Sequence, residues 1–161
     1  DYFLAASDTG YGFVIQFSDF LTQFKNGKAV VTLKKPGKLM IPDPVCSMQT
    51  DRVAALTSKG RLLIFPLNEL PCLKKGMGNK IISIPKKELL SDDPERLVFL
   101  KILPENSIMI IHAGKHFVRL NPGNQEDYTG KRGHRGKKLP RGFQNVSAID
   151  ISPIETGDDE Q

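Results

Sequence analysis

The stretch that decides the fold runs from residue 60 to residue 84 and contains GRLLIFPLNEL at 60–70 and KKGMGNKIISI at 74–84. An apolar run is followed by a turn rich in Pro, Lys and Gly, and a second apolar run begins shortly after Gly78. Short apolar runs bounded by Gly and Pro are typical of β-strands joined by tight turns. The stretch therefore predicts two strands with a turn between them.

The same unit occurs again elsewhere in the chain. Gly10 precedes a matching apolar run about fifty residues before Gly60, and residues 27–33 (GKAVVTL) overlay residues 78–84 (GNKIISI). A weaker third copy begins at Gly114. Repeats of about 40–50 residues that are built from short strands indicate a blade-like repeat protein. The three glycines that open the copies are predicted at equivalent turns.

Three units are predicted, at about 2–50, 51–104 and 105–151. Residues 18–21 are predicted as a connector, Asn26-Gly27 as a hairpin turn and residues 86–90 as one helical turn. No segment shows sustained helical periodicity, so the fold class is all-β with four-stranded blades. The predicted strands are 2–6, 13–17, 29–33 and 38–41 in the first unit, 53–57, 61–65, 80–84 and 97–102 in the second, and 107–112, 116–120, 137–139 and 146–151 in the third.

The charge is placed unevenly along the 161 residues, which carry a net charge of +5. Residues 152–161 contain four acidic residues and no base, so residues 1–151 hold 23 basic and 14 acidic side chains, a net charge of +9. A basic body indicates a polyanionic partner. The acidic tail, residues 152–161, is predicted to be disordered and to compete with that partner.

Cysteine usage and hydropathy limit the cellular setting. Cys46 and Cys72 form no CxxC pair, which disfavours a disulfide framework and favours a reducing cytoplasm. No window approaches about 18 consecutive apolar residues, so no membrane span is predicted. The chain begins inside an apolar strand without Met or a signal peptide, and we expect it to be part of a longer protein.

The densest chemical feature is the basic turn, residues 130–142, with the sequence GKRGHRGKKLPRG. It holds six basic residues and four glycines but no acidic residue. Glycine lets the backbone approach a phosphate closely, and Lys, Arg and backbone N–H groups contact phosphate oxygens. A solvated loop without a ligand is the alternative. Gly and Lys recur at the corresponding places of the first two units, which favours a basic track along one edge.

The contact residues of this track are predicted from basic side chains on successive turns. An ordinary surface charge is the alternative for each of them taken alone. The candidates are Lys28, Lys35, Arg61, Lys75, Lys80, Lys115, Lys131, Arg132, Arg135, Lys137, Lys138 and Arg141.

No catalytic or metal-binding motif is found in the sequence. His112 and His116, combined with either cysteine, do not match a zinc-ligand spacing. Residues 76–80 (GMGNK) lack the spacing of a phosphate-binding P-loop and precede a strand instead of a helix. No catalytic residue, metal or cofactor is therefore predicted in this chain.

Three phrases resemble the C-terminal domain of the DNA topoisomerase IV A subunit, a family related to the C-terminal domain of the gyrase A subunit. They are SDTGYGFV at 7–14, GRLLIFP at 60–66 and KGMGNKIISI at 75–84. The resemblance extends from residue 2 to about residue 151. It implies a β-pinwheel, a propeller-like arrangement of four-stranded blades that binds and bends duplex DNA around its basic outer edge.

The resemblance also implies an enzyme, although this chain carries none of its catalytic residues. The enzyme is an ATP-dependent type IIA topoisomerase, cytoplasmic and nucleoid-associated, that contains the topoisomerase IV B subunit and a second copy of the A subunit. It acts in relaxation, decatenation and chromosome segregation. Residues 131–137 (KRGHRGK) depart from the gyrase box QRRGGKG, which disfavours gyrase-type wrapping and favours the topoisomerase IV function.

A protein-interaction module is the second function class. In that hypothesis the basic edge recognises an acidic partner protein. Charge at repeated positions favours a regularly charged polymer such as DNA over a single protein patch. Retention on heparin or duplex DNA in rising salt discriminates between the two classes.

Overall fold

A computed structural model of the chain describes residues 1–33 and 37–154. The strands are β1 (Tyr2–Ala6), β2 (Tyr11–Gln16), β3 (Asp43–Pro44), β4 (Arg52–Thr57), β5 (Arg61–Pro66), β6 (Asn79–Lys80), β7 (Leu97–Leu103), β8 (Ser107–Ala113), β9 (His116–Leu120), β10 (Lys137–Lys138) and β11 (Ala148–Pro153). The α-helices are α1 (Phe17–Lys25), α2 (Lys86–Leu89) and α3 (Pro122–Gln125), and 3₁₀ turns cover Leu67–Glu69 and Glu126–Tyr128.

The described strands form three antiparallel sheets. The first sheet has the order β3-β1-β2-β6, the second β10-β5-β4-β7 and the third β11-β8-β9. Each sheet is built on a central hairpin, which is β1–β2, β4–β5 or β8–β9. The predicted all-β organisation is confirmed. None of the helices in the described residues is long and apolar enough to cross a membrane.

The three central hairpins all turn at a glycine with positive φ. Gly10, Gly60 and Gly114 have φ values of +100°, +78° and +61°. A residue with a β-carbon is disfavoured in this region, so glycine is the residue that closes these turns without strain. The prediction that the three glycines occupy equivalent turns is confirmed.

One outer strand of each of the first two sheets comes from the unit that follows in the sequence. β6 pairs with β2, with Lys80 opposite Tyr11, and β10 pairs with β5, with Lys138 opposite Arg61. The sequence pattern predicts residues 80–84 among the strands of the second unit and residues 137–139 among those of the third. That placement is wrong, because the hydrogen bonds run to the preceding hairpin.

Consecutive sheets bury their faces against each other. Along β5, Leu63 and Phe65 belong to a core cluster that also contains Leu4 and Val14 of the first sheet. Leu62 and Ile64 belong to a second cluster that also contains side chains of β8. Because side chains alternate along a strand, the second sheet is buried on both faces. Packing of each unit against its neighbours is the way a repeat protein buries its apolar surface.

Helix α1 lies where a connector was predicted. Phe17, Phe20, Leu21 and Phe24 are spaced as on one face of an amphipathic helix, a signal that was present in the sequence but short. The Phe20 side chain packs against a core cluster of the first sheet, and its ring stacks on that of Phe17 at 6.3 Å between centroids. Packing on the sheet therefore stabilises a helix that local propensity alone specifies weakly.

The Asn26-Gly27 pair ends this helix and does not form the predicted hairpin. The Gly27 N–H donates to Phe24 O at 3.0 Å, and the Lys28 N–H donates to Gln23 O at 2.9 Å. Gly27 has a φ of +67°. A glycine in the left-handed region with these two bonds is a common helix C-terminus.

Two further strand predictions of the first unit are replaced by isolated bridges. Residues 29–33 contribute a bridge between Val31 and Gly76, and residues 38–41 contribute a bridge between Leu39 and Ser7. The edge strand β3 begins only at residue 43. Residues 86–90 contain the predicted helical turn, α2. Lys35 and tail residues 155–161, to which predictions were attached, lie outside the described residues.

Candidate nucleic-acid interface

The basic turn connects the first and second sheets. The Gly133 N–H donates to Ile81 O at 2.8 Å, beside the outer strand of the first sheet. The Leu139 N–H donates to Gly60 O at 2.8 Å, at the hairpin turn of the second sheet. The turn is therefore held to both sheets by backbone hydrogen bonds.

Arg135, near the middle of the basic turn, forms a bidentate ion pair with Glu95. The Nη1–Oε2 and Nη2–Oε1 distances are 2.9 and 2.5 Å. The Glu95 side chain is fully buried, whereas that of Arg135 is 31% exposed. Burial raises the pKa of the Glu95 carboxyl, but hydrogen bonds from Arg135 and Thr57 and the charges of Arg135 and Arg61 outweigh it and hold that pKa below its ordinary value.

Two further arginines among the predicted contacts also donate to acceptors within the chain. Arg132 Nη1 donates to Lys80 O at 2.7 Å, and the Arg132 backbone N–H donates to Glu69 Oε1 at 3.3 Å. Arg61 Nη1 donates to Gly136 O at 3.2 Å. These guanidinium groups fasten the basic turn to β6 and to β5.

The predicted lysines within the described residues, in contrast, are exposed. Within residues 1–33 and 37–154, none of them takes part in an ion pair. Lys80 and Lys138 occupy the same position on β6 and β10, each opposite the first residue of the second hairpin strand. Because each of these outer strands joins the sheet of the preceding unit, the two lysines lie at equivalent points of neighbouring sheets. The exposed lysines are Lys28, Lys75, Lys80, Lys115, Lys131, Lys137 and Lys138.

Lys28 belongs to the same structural series. The Val30 carbonyl accepts from the Gly76 N–H at 3.0 Å, as the Ile81 carbonyl accepts from the Gly133 N–H. These matching bonds confirm the overlay of residues 27–33 on residues 78–84. Lys28 then corresponds to Asn79, one position before Lys80, so its side chain and that of Lys80 occupy adjacent and not identical positions.

The remaining candidates are dispersed. Lys115 lies on the turn between β8 and β9, on the third sheet. Arg141 is exposed near the end of the basic turn, after β10. The lysines of β6, β10 and the basic turn thus belong to the two outer strands and to the segment that joins them, whereas Lys115 lies on the third sheet.

A groove of about 550 Å³ lies next to this group of lysines. Lys80 and Lys86 line it together with Tyr11 and Ser83. The Ser83 N–H donates to the carbonyl of His134 in the basic turn at 2.9 Å. Two lysine side chains, one on β6 and one on α2, therefore line the same groove.

Sequence reasoning missed the acidic residues that hold the basic turn. Glu95 and Glu69 are separated from their arginines by 40 and 63 residues. The one local signal is that Glu95 lies two residues before the apolar run that becomes β7. Its burial could not be inferred without the neighbouring sheet.

The histidines and cysteines do not form a metal site in the described residues. No group of three or more His, Cys, Asp and Glu side chains is placed to hold a metal there. His112 Nε2 lies 2.9 Å from Asp150 Oδ2, and the His116 ring lies against Phe143. Cys46 and Cys72 are free and exposed.

Comparison with known families identifies this architecture. The family described as DNA gyrase C-terminal domain, beta-propeller, matches residues 1–45 and 51–104. The chain belongs to this family. The matched segments cover the first predicted unit as far as residue 45 and all of the second, and the predicted propeller-like fold is confirmed.

Two relatives and one solved structure are similar to this chain. The chain is 44% identical over 153 residues to the DNA topoisomerase 4 A subunit of Pseudomonas aeruginosa, covering 94% of this chain and 20% of the relative. It is 42% identical over 161 residues to that of Escherichia coli, covering 98% and 21%. The structure of the E. coli ParC C-terminal domain superposes with a TM-score of 0.82 at 36% identity, covering 95% of this chain and 61% of that one.

The predicted resemblance to the topoisomerase IV A subunit is confirmed by these relatives. The chain spans about a fifth of the length of the curated relatives that it matches.

Proposed function

We propose that this chain binds duplex DNA without sequence preference along its basic edge and bends it. The basic edge is defined as Lys80, Lys131, Lys137 and Lys138. The observation that carries the proposal is the equivalence of Lys80 and Lys138 on the outer strands of neighbouring sheets. Exposed ammonium groups at equivalent positions of neighbouring sheets can contact a polymer whose phosphates are regularly spaced.

The proposal assigns the chain to a type IIA topoisomerase of the topoisomerase IV kind. In that enzyme it would act as an accessory domain that selects DNA segments for ATP-dependent relaxation, decatenation and chromosome segregation. Its partners would be the topoisomerase IV B subunit and a second copy of the A subunit, in the cytoplasm at the nucleoid. The support for this assignment is the family membership and the 42–44% identity to relatives that are A subunits.

The test is a salt titration of binding to a labelled duplex, followed by fluorescence anisotropy. If about four to eight phosphates are neutralised, log K falls against log salt with a slope of roughly −4 to −7. Salt-independent binding, or none at low salt, would contradict the proposal. Displacement of the duplex by an acidic polypeptide of equal charge concentration would favour the protein-interaction class instead.

A further inference from the structure

The ion pair between Glu95 and Arg135 is the buried charged contact of the basic turn. Both guanidinium nitrogens of the Arg135 fork engage the carboxylate, at 2.9 and 2.5 Å. The Glu95 side chain has no exposed surface. A buried carboxylate that loses its partner leaves an uncompensated charge, which is strongly destabilising. Arg135 is therefore committed to Glu95 and is not free to move to a phosphate.

Glu95 is itself fixed at the junction of the first two sheets. Its N–H donates to Glu88 O at 3.0 Å. Two residues later the Leu97 N–H donates to Asp8 O at 2.8 Å, across to the first sheet. The carboxylate thus provides a rigid anchor for Arg135 that belongs to the body of the fold.

The basic turn needs such an anchor because its backbone is permissive. Gly133, Gly136 and Gly142 have φ values of +82°, +78° and +96°. Glycine has access to more backbone conformations than any other residue, so a turn rich in it has many alternatives to the folded shape. The contact between the Arg135 and Glu95 side chains favours one of these backbone conformations.

We propose that Glu95 and Arg135 are a positioning pair that holds the basic turn in the shape that presents Lys131, Lys137 and Lys138 to phosphates. Neither residue contacts the DNA. The inference rests on the proposed function, since it names how part of the basic edge is preorganised.

Glu95→Ala separates this inference from a direct role of Arg135 in DNA contact. On charge alone, removal of a carboxylate beside a polyanion site strengthens binding. The positioning pair requires the opposite, a loss of affinity of about tenfold, or about 1.4 kcal/mol, which is within the coupling expected for residues of one network. Asp92→Ala is the matched control, because it removes an exposed carboxylate three residues away. The DNA affinity of Asp92→Ala is expected to equal or exceed that of the wild type.

Arg135→Lys provides a second variant with unchanged net charge. Lysine contacts a phosphate as a point charge, but it does not reproduce the bidentate contact with a carboxylate. If Arg135 positions the turn, Arg135→Lys binds DNA more weakly than the wild type. If Arg135 contacts a phosphate directly, the DNA affinity of Arg135→Lys stays close to that of the wild type. If Glu95→Ala does not fold, the DNA affinity of Arg135→Lys still distinguishes a positioning role of Arg135 from a direct DNA contact.

Hydrogen–deuterium exchange gives a readout that does not depend on DNA. Loss of the pair is expected to reduce protection of the Gly133 and Leu139 amides, while amides in the β4–β7 ladder keep theirs. If wild-type chain fails to bind DNA, the proposed function is wrong, and the exchange experiment still tests the anchoring. If Glu95→Ala binds DNA more tightly with the turn amides still protected, the positioning pair is overturned.

Discussion

Arg61, Arg132 and Arg135 each donate to an acceptor inside the chain, although all three were predicted as DNA contacts. The planar guanidinium group suits fixed, directional hydrogen bonds, whereas the ammonium group of lysine is strongly hydrated. Lys80 and Lys138 accordingly remain exposed at the outer strands. At the scale of single residues, these three arginines hold the shape of the turn and the lysines present the charge.

The exposed lysines of the basic edge are expected to contribute equally to DNA binding. Lys80→Ala and Lys138→Ala should each reduce the steepness of the salt dependence by about 1, because each removes one phosphate contact. The melting temperature should not change, since both side chains are exposed. Lys115→Ala, on the β8–β9 turn, is the control and should leave the slope unchanged. Equal effects of all three substitutions would mean that charge acts diffusely and not through this edge.

The Glu95 carboxyl is expected to make folding stability depend on pH in the acidic range. Its pKa in the folded state lies below the ordinary value of 4.5, so its ionised form is favoured by folding. The resulting stability is fully present above about pH 4.5 and is lost as pH falls through the folded-state pKa. Urea unfolding of the wild type and Glu95→Gln from pH 7 to pH 3 measures this. Identical pH profiles of the two proteins would contradict it.

At the scale of elements, the two-residue strands β6 and β10 join consecutive units. Each enters its sheet through a glycine pressed against the preceding hairpin. A β-carbon at Gly78 would lie 2.0 Å from Gly12 O, and one at Gly136 would lie 2.9 Å from Leu62 O. Close approach of the two backbones therefore requires glycine at both positions.

Gly78→Ala is expected to destabilise the fold more than Gly27→Ala. Both residues have positive φ, at +77° and +67°, so both substitutions incur backbone strain of about 1–2 kcal/mol. A β-carbon at Gly27 meets nothing within 4 Å, whereas at Gly78 it collides with a backbone carbonyl. Urea unfolding of the two variants compares the free energies directly. Equal losses in the free energy of unfolding would show that the backbone relaxes around the new β-carbon, and that the close approach at Gly78 does not require glycine.

At the scale of the whole molecule, successive sheets place charge along a path and not at one point. One basic cluster touches only a short stretch of DNA backbone. Bending 20–30 base pairs smoothly through 40–90° costs on the order of 1–6 kcal/mol. Contacts from several sheets are needed to offset that cost, and the equivalent lysines of the first two sheets offer such contacts.

Binding is therefore expected to shorten the end-to-end distance of a short duplex. Energy transfer between dyes at the two ends of a duplex of about 30 base pairs measures this distance. The double variant Lys80→Ala/Lys138→Ala should retain some binding but bend the duplex less, because charge is removed from both outer strands. A bound wild-type chain that leaves the distance of free DNA unchanged would contradict the bending mechanism.

The hairpins and their period are determined by the sequence alone. Gly10, Gly60 and Gly114 were predicted at equivalent turns because each signal is contained within a short apolar run and the turn beside it. The density of charge at the basic turn is likewise visible in sequence order. Helix α1 was missed because its apolar spacing is short and its stability comes from packing on the first sheet.

Only the tertiary structure decides which sheet each outer strand joins and which charges stay free. β6 and β10 hydrogen-bond to hairpins that precede them by many residues. Arg135 and Glu95 are 40 residues apart in the chain, and Arg61 and Gly136 are 75 apart. Such pairings depend on the packing of consecutive sheets, which no local pattern encodes. The division between the three arginines that hold the turn and the lysines that face solvent follows from that packing.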